Sequence, residues 1–194
     1  MRHNADLQPS AFQTVGPFFH LGCIDTRSVS CLAGAKAKGE RMHLTCVVLD
    51  GEGAPIPDAM IEIWQADAEG KYNHPADWQE KVADVECSGF GRLATDENGM
   101  CVFETVRPGR VAGNDGGLQA PHLEISVFAR GVLNRLATRA YFEGDPANLE
   151  DPILSLVPAE RRATLMAHAD SRNAGDWRFE IRLCGEDETV FFDV

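Results

Sequence analysis

"HLEISVF", residues 122–128, alternates polar and apolar side chains with a period of two. Leu123, Ile125 and Val127 fall on one face and His122, Glu124 and Ser126 on the other, the pattern of a strand with one buried side. The same reading extends outward in both directions. "RMHLTCVVLD" (41–50), "AMIEIWQA" (59–66), "GRLATD" (91–96), "MCVFETV" (100–106), "LATRAYFEG" (136–144) and "DWRFEIRLCGE" (176–186) are strand-like runs separated by Gly, Pro, Asn and Asp turns. "ENG" (97–99) predicts a hairpin between the runs that flank it. Strands at this spacing predict an all-β chain, with a β-sandwich core of antiparallel or mixed sheets and long loops. One short helix is expected in the C-terminal half, at "PAERRATLMAHA" (158–169), with Pro158 in its first turn and His168 near its end. The run from about 66 to 90 predicts an excursion from the sandwich.

Composition limits the function. With 194 residues and 44% hydrophobic content, the chain suits one domain with a sizeable core. Thirty acidic against 18 basic residues give a net charge of -12, which repels nucleic acid and anionic membranes. No stretch is apolar enough to span a bilayer, and "MRHNADLQPS" has no signal core, so a cytoplasmic location is expected. The six cysteines form no CxxC pair, which argues against zinc and iron–sulfur sites. Cys46 and Cys101 lie inside strand-like runs and read as small core residues in a reducing compartment.

Four residues could serve as metal donors. His122 and Glu124 share a strand face, and "GKYNHPAD" puts Tyr72 and His74 just past another strand. Each has a plainer reading: a hydrogen-bonded strand histidine, a packed tyrosine, a solvated histidine before proline. Two further segments are unusually apolar. "FQTVGPFFHLG" (12–22) is aromatic, with Gly16-Pro17 breaking any regular element, and "ETVFFDV" (188–194) carries apolar residues on both faces. An end carrying Phe191 and Phe192 has to be covered, by its own core or by a partner.

Taken together, "QTVGPFFHLG" (13–22), "IEIWQADAEGKY" (61–72), "APHLEISVFARG" (120–131), "RAYFEGDP" (139–146) and "RFEIRLCGEDETVFFDV" (178–194) resemble the intradiol aromatic-ring dioxygenases. Within that family the resemblance is to the alpha, iron-free chain of two-chain enzymes that cleave protocatechuate with O2 to 3-carboxy-cis,cis-muconate. It implies a β-sandwich and a homologous beta subunit, in a higher-order alpha–beta oligomer. In catalytic chains of the family, two tyrosines and two histidines hold Fe(III), a Lewis acid toward the catechol. Here Tyr72 matches the first tyrosine, Val111 stands at the second, His122 matches the first histidine and Glu124 stands at the second. Gln119 stands where catalytic chains carry an arginine. The resemblance therefore implies a vestigial site that binds no metal, with Fe(III) held by the beta subunit. It also implies that an N-terminal arm, about residues 1–40, packs on that partner, and that Thr14, Gly16, Pro17 and Arg130 line the partner's substrate pocket. Two alternatives remain open: a stand-alone intradiol catechol dioxygenase, disfavoured by Val111 and Glu124, and a non-enzymatic β-sandwich binding module.

Overall fold

Every alternating run becomes a strand. The computed structural model describes residues 11–24, 27–113, 116–170, 173 and 175–194; residues 1–10, on which the absence of a signal core was read, lie outside that range. In chain order the strands are β1 (Arg41–Leu49), β2 (Met60–Trp64), β3 (Phe90–Ala94), β4 (Met100–Val106), β5 (Val111–Ala112), β6 (Leu118–Gln119), β7 (His122–Phe128), β8 (Leu136–Phe142), β9 (Met166–Ala169) and β10 (Asp176–Arg182). Eight of them form one sheet in the order β3-β2-β7-β8-β9-β10-β1-β4, and β5 pairs with β6. The pairings are antiparallel except β1 with β10 and β8 with β9. The sheet folds over so that its two halves face each other as a sandwich. Leu44, Cys46, Val48 and Phe103 from one half pack in a single core with Ile61, Ile63, Leu123 and Ile125 from the other. The apolar face of the opening stretch points into that core, while Glu124 and Ser126 are half-buried on the opposite face.

Three local expectations are corrected. The turn at Asp96–Gly99 forms, with the Asp96 carboxylate accepting N–H groups of Asn98 and Met100, but its strands do not pair. β3 joins β2 and β4 joins β1, so the turn is a corner between layers. The strands stack face to face: a Cβ on Gly91 of β3 would sit 2.9 Å from the Phe103 ring of β4. Second, residues 158–169 do not form one helix. A 3-10 helix covers Ala159–Leu165, and Met166–Ala169 then extends as β9. Met166 and Ala167 pair with Tyr141 and Phe142, so bridging the two layers overrides local helix propensity. Third, Gly16-Pro17 begins a regular element instead of breaking one. Gly16 caps a seven-residue helix, α1 (Pro17–Cys23), with proline where its missing N–H costs nothing.

The C-terminus folds back on its own chain. The Phe192 N–H donates to the Ala137 carbonyl at 2.8 Å, and the Thr138 hydroxyl donates to the Val190 carbonyl at 2.8 Å. Phe191 packs on the main core; Val190 and Phe192 pack on a second cluster with Tyr141, Leu154, Val157 and Leu165. The N-terminal segment divides in two. Val29, Cys31 and Ala33 bridge to Arg92, Glu104 and Cys87, and Leu32 is buried in the main core. Phe12, Phe18 and Leu21 are exposed.

Candidate functional site

Pairing across β2, β7 and β8 sets Trp64, Glu124 and Arg139 side by side on the outer face of the sheet. The excursion after β2 supplies the lid over this row. Gly70 makes the close approach possible. Its φ is +78°, and a Cβ there would lie 1.9 Å from the Arg110 carbonyl oxygen, immediately before Val111. Beyond it, the buried Lys71 ammonium donates to the Asp77 and Gln79 carbonyls at 2.8 and 2.7 Å and lies 3.0 Å from the Asp77 carboxylate. That carboxylate also accepts the Tyr72 N–H at 2.8 Å. Burial works against the Asp77 charge, and the N–H groups of Gln79 and Tyr72, with Lys71, outweigh it and lower its pKa. The loop thus lays the Tyr72 ring flat on Trp64, with centroids 5.7 Å apart and planes 10° apart; His74 meets Trp64 edge-on. Tyr72, His74, Val111, Gln119 and Arg139 line one cavity of about 540 Å³.

His122 and Glu124 complete the set. The His122 Nδ1–H donates to the Ala120 carbonyl at 2.7 Å, and Ala120 is fixed in turn by its N–H donating to the buried Asp151 carboxylate at 2.6 Å. This leaves the buried His122 Nε2 without a hydrogen-bond partner, facing Glu124 Oε1 at 3.5 Å. That is the posture of a metal-ligating imidazole, whose second ring N–H is commonly held by a carbonyl. Glu124 is engaged elsewhere. The Arg139 guanidinium lies 2.6 Å from its Oε1 and also donates to Gln119 Oε1 at 2.7 Å and to the Tyr141 hydroxyl at 3.4 Å. Burial tends to raise the Glu124 pKa; His122 and Arg139 more than offset this and hold it below the ordinary value. Arg139 and Asp151 are not among the residues the sequence singles out; "LATRAYFEG" reads there as a strand-like run. Where Gln119 removes one cation, a strand neighbour supplies another.

This set does not fit a ferric ion. Val111 is buried and has no donor atom. Burial, then the charge of Glu124, pushes the Tyr72 phenol pKa well up, which opposes the tyrosinate that offsets ferric charge. The fourth residue, Glu124, is committed to a guanidinium. No group of three or more His, Cys, Asp or Glu side chains suited to a metal occurs among the described residues.

Thr14, Gly16 and Arg130 come together at the other end of β7, roughly 20 Å away along a seven-residue strand. The Gly131 N–H donates to the Thr14 hydroxyl at 2.7 Å, tying the N-terminal segment to the turn that follows β7. Phe19 of α1 packs on Phe128 with ring centroids 5.7 Å apart. Gly16, Val15, Phe19, Met60, Asp58 and Arg130 border a largely apolar cavity of about 490 Å³. The Arg130 side chain is 72% exposed, and its guanidinium stands 3.9 Å from the Asp58 carboxylate. Pro17 starts α1 beside Gly16. A Cβ on Gly16 would meet nothing within 4 Å, and its φ is -111°. Packing within the chain therefore gives no reason for a glycine there.

Residues 14–185 match the family model described as Dioxygenase. The chain is 41% identical to the protocatechuate 3,4-dioxygenase alpha chain of Burkholderia cepacia, over 97% of this chain and 98% of that one. It is 35% identical to the beta chain from the same organism, over 78% of this chain and 67% of that one. Among solved structures, an intradiol ring-cleavage dioxygenase from Tetranychus urticae has the same fold, with a TM-score of 0.61 and 21% identity, covering 80% of this chain and 85% of that one.

Proposed function

The chain belongs to the intradiol dioxygenases, and from that premise we propose that it acts as the alpha-type subunit of a protocatechuate-cleaving enzyme. In this reading a homologous beta-type subunit holds the ferric iron and this chain holds none, in a higher-order alpha–beta oligomer. The chain forms part of the wall and charge of its partner's pocket, where protocatechuate and O2 react. It works in the cytoplasm, where its six cysteines stay reduced.

The observation that carries this reading is the hydrogen bond from the Gly131 N–H to Thr14. It joins two segments far apart in sequence into one edge that brings Gly16 and Arg130 to the same cavity, with Pro17 next to Gly16 in the chain. Gly16 has open space above its Cα, so a flat ring approaching from outside meets backbone and no side chain. The neighbouring Phe12, Phe18 and Leu21 are exposed apolar surface of the kind a subunit interface buries. Arg130 offers an uncommitted guanidinium to a substrate carboxylate, since its Asp58 contact is long and solvent-screened. None of these residues transfers a proton. They bind, orient and exclude water, while bond-making takes place in the partner.

Arg130→Ala in the assembled enzyme tests this directly. Losing a charge-assisted hydrogen bond costs about 1.5–3 kcal/mol, so kcat/KM for protocatechuate should fall at least about tenfold. Iron content should stay the same. The defect should shrink with catechol, which has no carboxylate, and at high salt if long-range attraction dominates. Unchanged kinetics with protocatechuate would confine Arg130 to a surface ion pair and remove it from the pocket.

A further inference from the structure

We propose that in this chain the Arg139 guanidinium occupies the place of the metal: an internal cation, carried on β8, that neutralises Glu124 and keeps metal ions out of the remnant formed by Tyr72, His122 and Glu124. The inference deepens the proposed function and rests on its matching of residues to ligand positions.

Three observations lead to it. Register puts Arg139 directly opposite Glu124, and the guanidinium reaches the carboxylate while lining the same cavity as Tyr72 and Val111. It therefore lies among the matched positions, not beside them. Next, His122 keeps a ligand's orientation, with Nδ1 held by a carbonyl and a buried Nε2 that no hydrogen bond satisfies. That posture leaves one donor atom aimed at a group already paired with a cation. Last, Arg139 is fixed by Gln119 and Tyr141 as well as by Glu124. Tyr141 is itself held by Asp151, so the guanidinium cannot swing aside freely. A fixed positive charge repels an incoming cation and consumes the carboxylate oxygen it would need.

It follows that restoring the two missing ligands is not enough to restore a metal. Val111 borders the open cavity, so a tyrosine has space there, and Glu124→His would supply the second imidazole. With Arg139 in place, the double variant Val111→Tyr/Glu124→His, assembled with its partner, should show the same iron per alpha–beta pair as the wild type. Adding Arg139→Thr should double it and increase the visible tyrosinate-to-iron band. Extra iron in the double variant would overturn the inference while leaving the proposed function standing. An assembled triple variant that gains no iron would also overturn it. Iron in the wild-type chain expressed alone would overturn both.

If the triple variant does not assemble, Arg139→Thr alone carries the test with Co(II) as probe. Co(II) should raise the Tm of that variant and leave the wild type unchanged. No rise in the variant would reject the idea of an internal cation.

Discussion

Deleting residues 190–194 is expected to destabilise the folded chain by about 3–5 kcal/mol, the range for losing a buried aromatic side chain. The segment removes two rings at once, each half-buried, together with Val190. Phe191 packs on the main core, while Val190 and Phe192 close a second cluster around Tyr141 and Leu165. One backbone acceptor and one backbone donor are lost with them: the Val190 carbonyl that accepts the Thr138 hydroxyl and the Phe192 N–H that donates to the Ala137 carbonyl. Thr138 is buried, so its hydroxyl would be left without that acceptor. Urea unfolding of the full and shortened chains would measure the effect as a lower midpoint. If the shortened chain keeps its midpoint and loses only its ability to co-purify with a beta-type partner, the segment serves the interface and this expectation is wrong.

Arg139→Leu should cost about 2–3 kcal/mol, somewhat less than the 3–5 typical of breaking a fully buried pair, because water still reaches part of Glu124. The Glu124 side chain is 38% exposed and that of Arg139 is 15% exposed. The loss comes mainly from leaving a carboxylate without its cation, so Glu124→Gln should rescue much of it. A double-mutant cycle would read the coupling. The pH dependence has a definite sign. In the wild type the Glu124 pKa is depressed, so its contribution is present above the ordinary carboxylate range and fades only as pH falls through the depressed value. In Arg139→Leu burial acts on Glu124 with one counter-charge fewer, and its pKa moves upward. Acid therefore relieves the variant first. The gap in Tm between the two proteins should be widest near neutrality and narrow toward pH 4. A gap that is constant over that range would show that the substitution acts through packing alone.

The strands were legible because each has one buried face, and burial imposes a period of two on the sequence. β1, β4 and β7 fall where the alternation puts them, within a residue. Partnership between strands was not legible. The Asp96 turn reads as a hairpin from its own residues, and only the need to bury Phe103 against Gly91 sends its arms to different layers. Met166–Ala169 lacks alternation and takes its form from β8 and β10 on either side. At the site, the resemblance marked Tyr72, Val111, His122 and Glu124; three of these carry donor atoms, and two of them, His122 and Glu124, face each other at 3.5 Å. Arg139 escaped because an arginine in a strand looks like a solvent-facing residue. Its meaning depends on a cross-strand neighbour that spacing along one run cannot reveal. The nearest available signal was the unbalanced Glu124, a half-buried carboxylate in need of a cation.

The two layers of the sheet are joined strand to strand where Tyr141 and Phe142 pair with Met166 and Ala167, and their far edges are clasped by the segment in which Val29 bridges to Arg92 of β3 and Cys31 to Glu104 of β4. Seen as a mechanical object, the molecule is a folded card with a crease two residue pairs wide. What keeps the card shut is the filling and the clasp, not the crease: side chains from both leaves share one apolar core, and Leu32 of the clasping segment is buried in it. Amides in β9 should accordingly exchange with deuterium ahead of those in β1, β7 and β10, because opening the crease breaks few backbone bonds while each leaf keeps its own ladder. Slow exchange in β9, matching the central strands, would mean that the leaves open only when the whole chain unfolds.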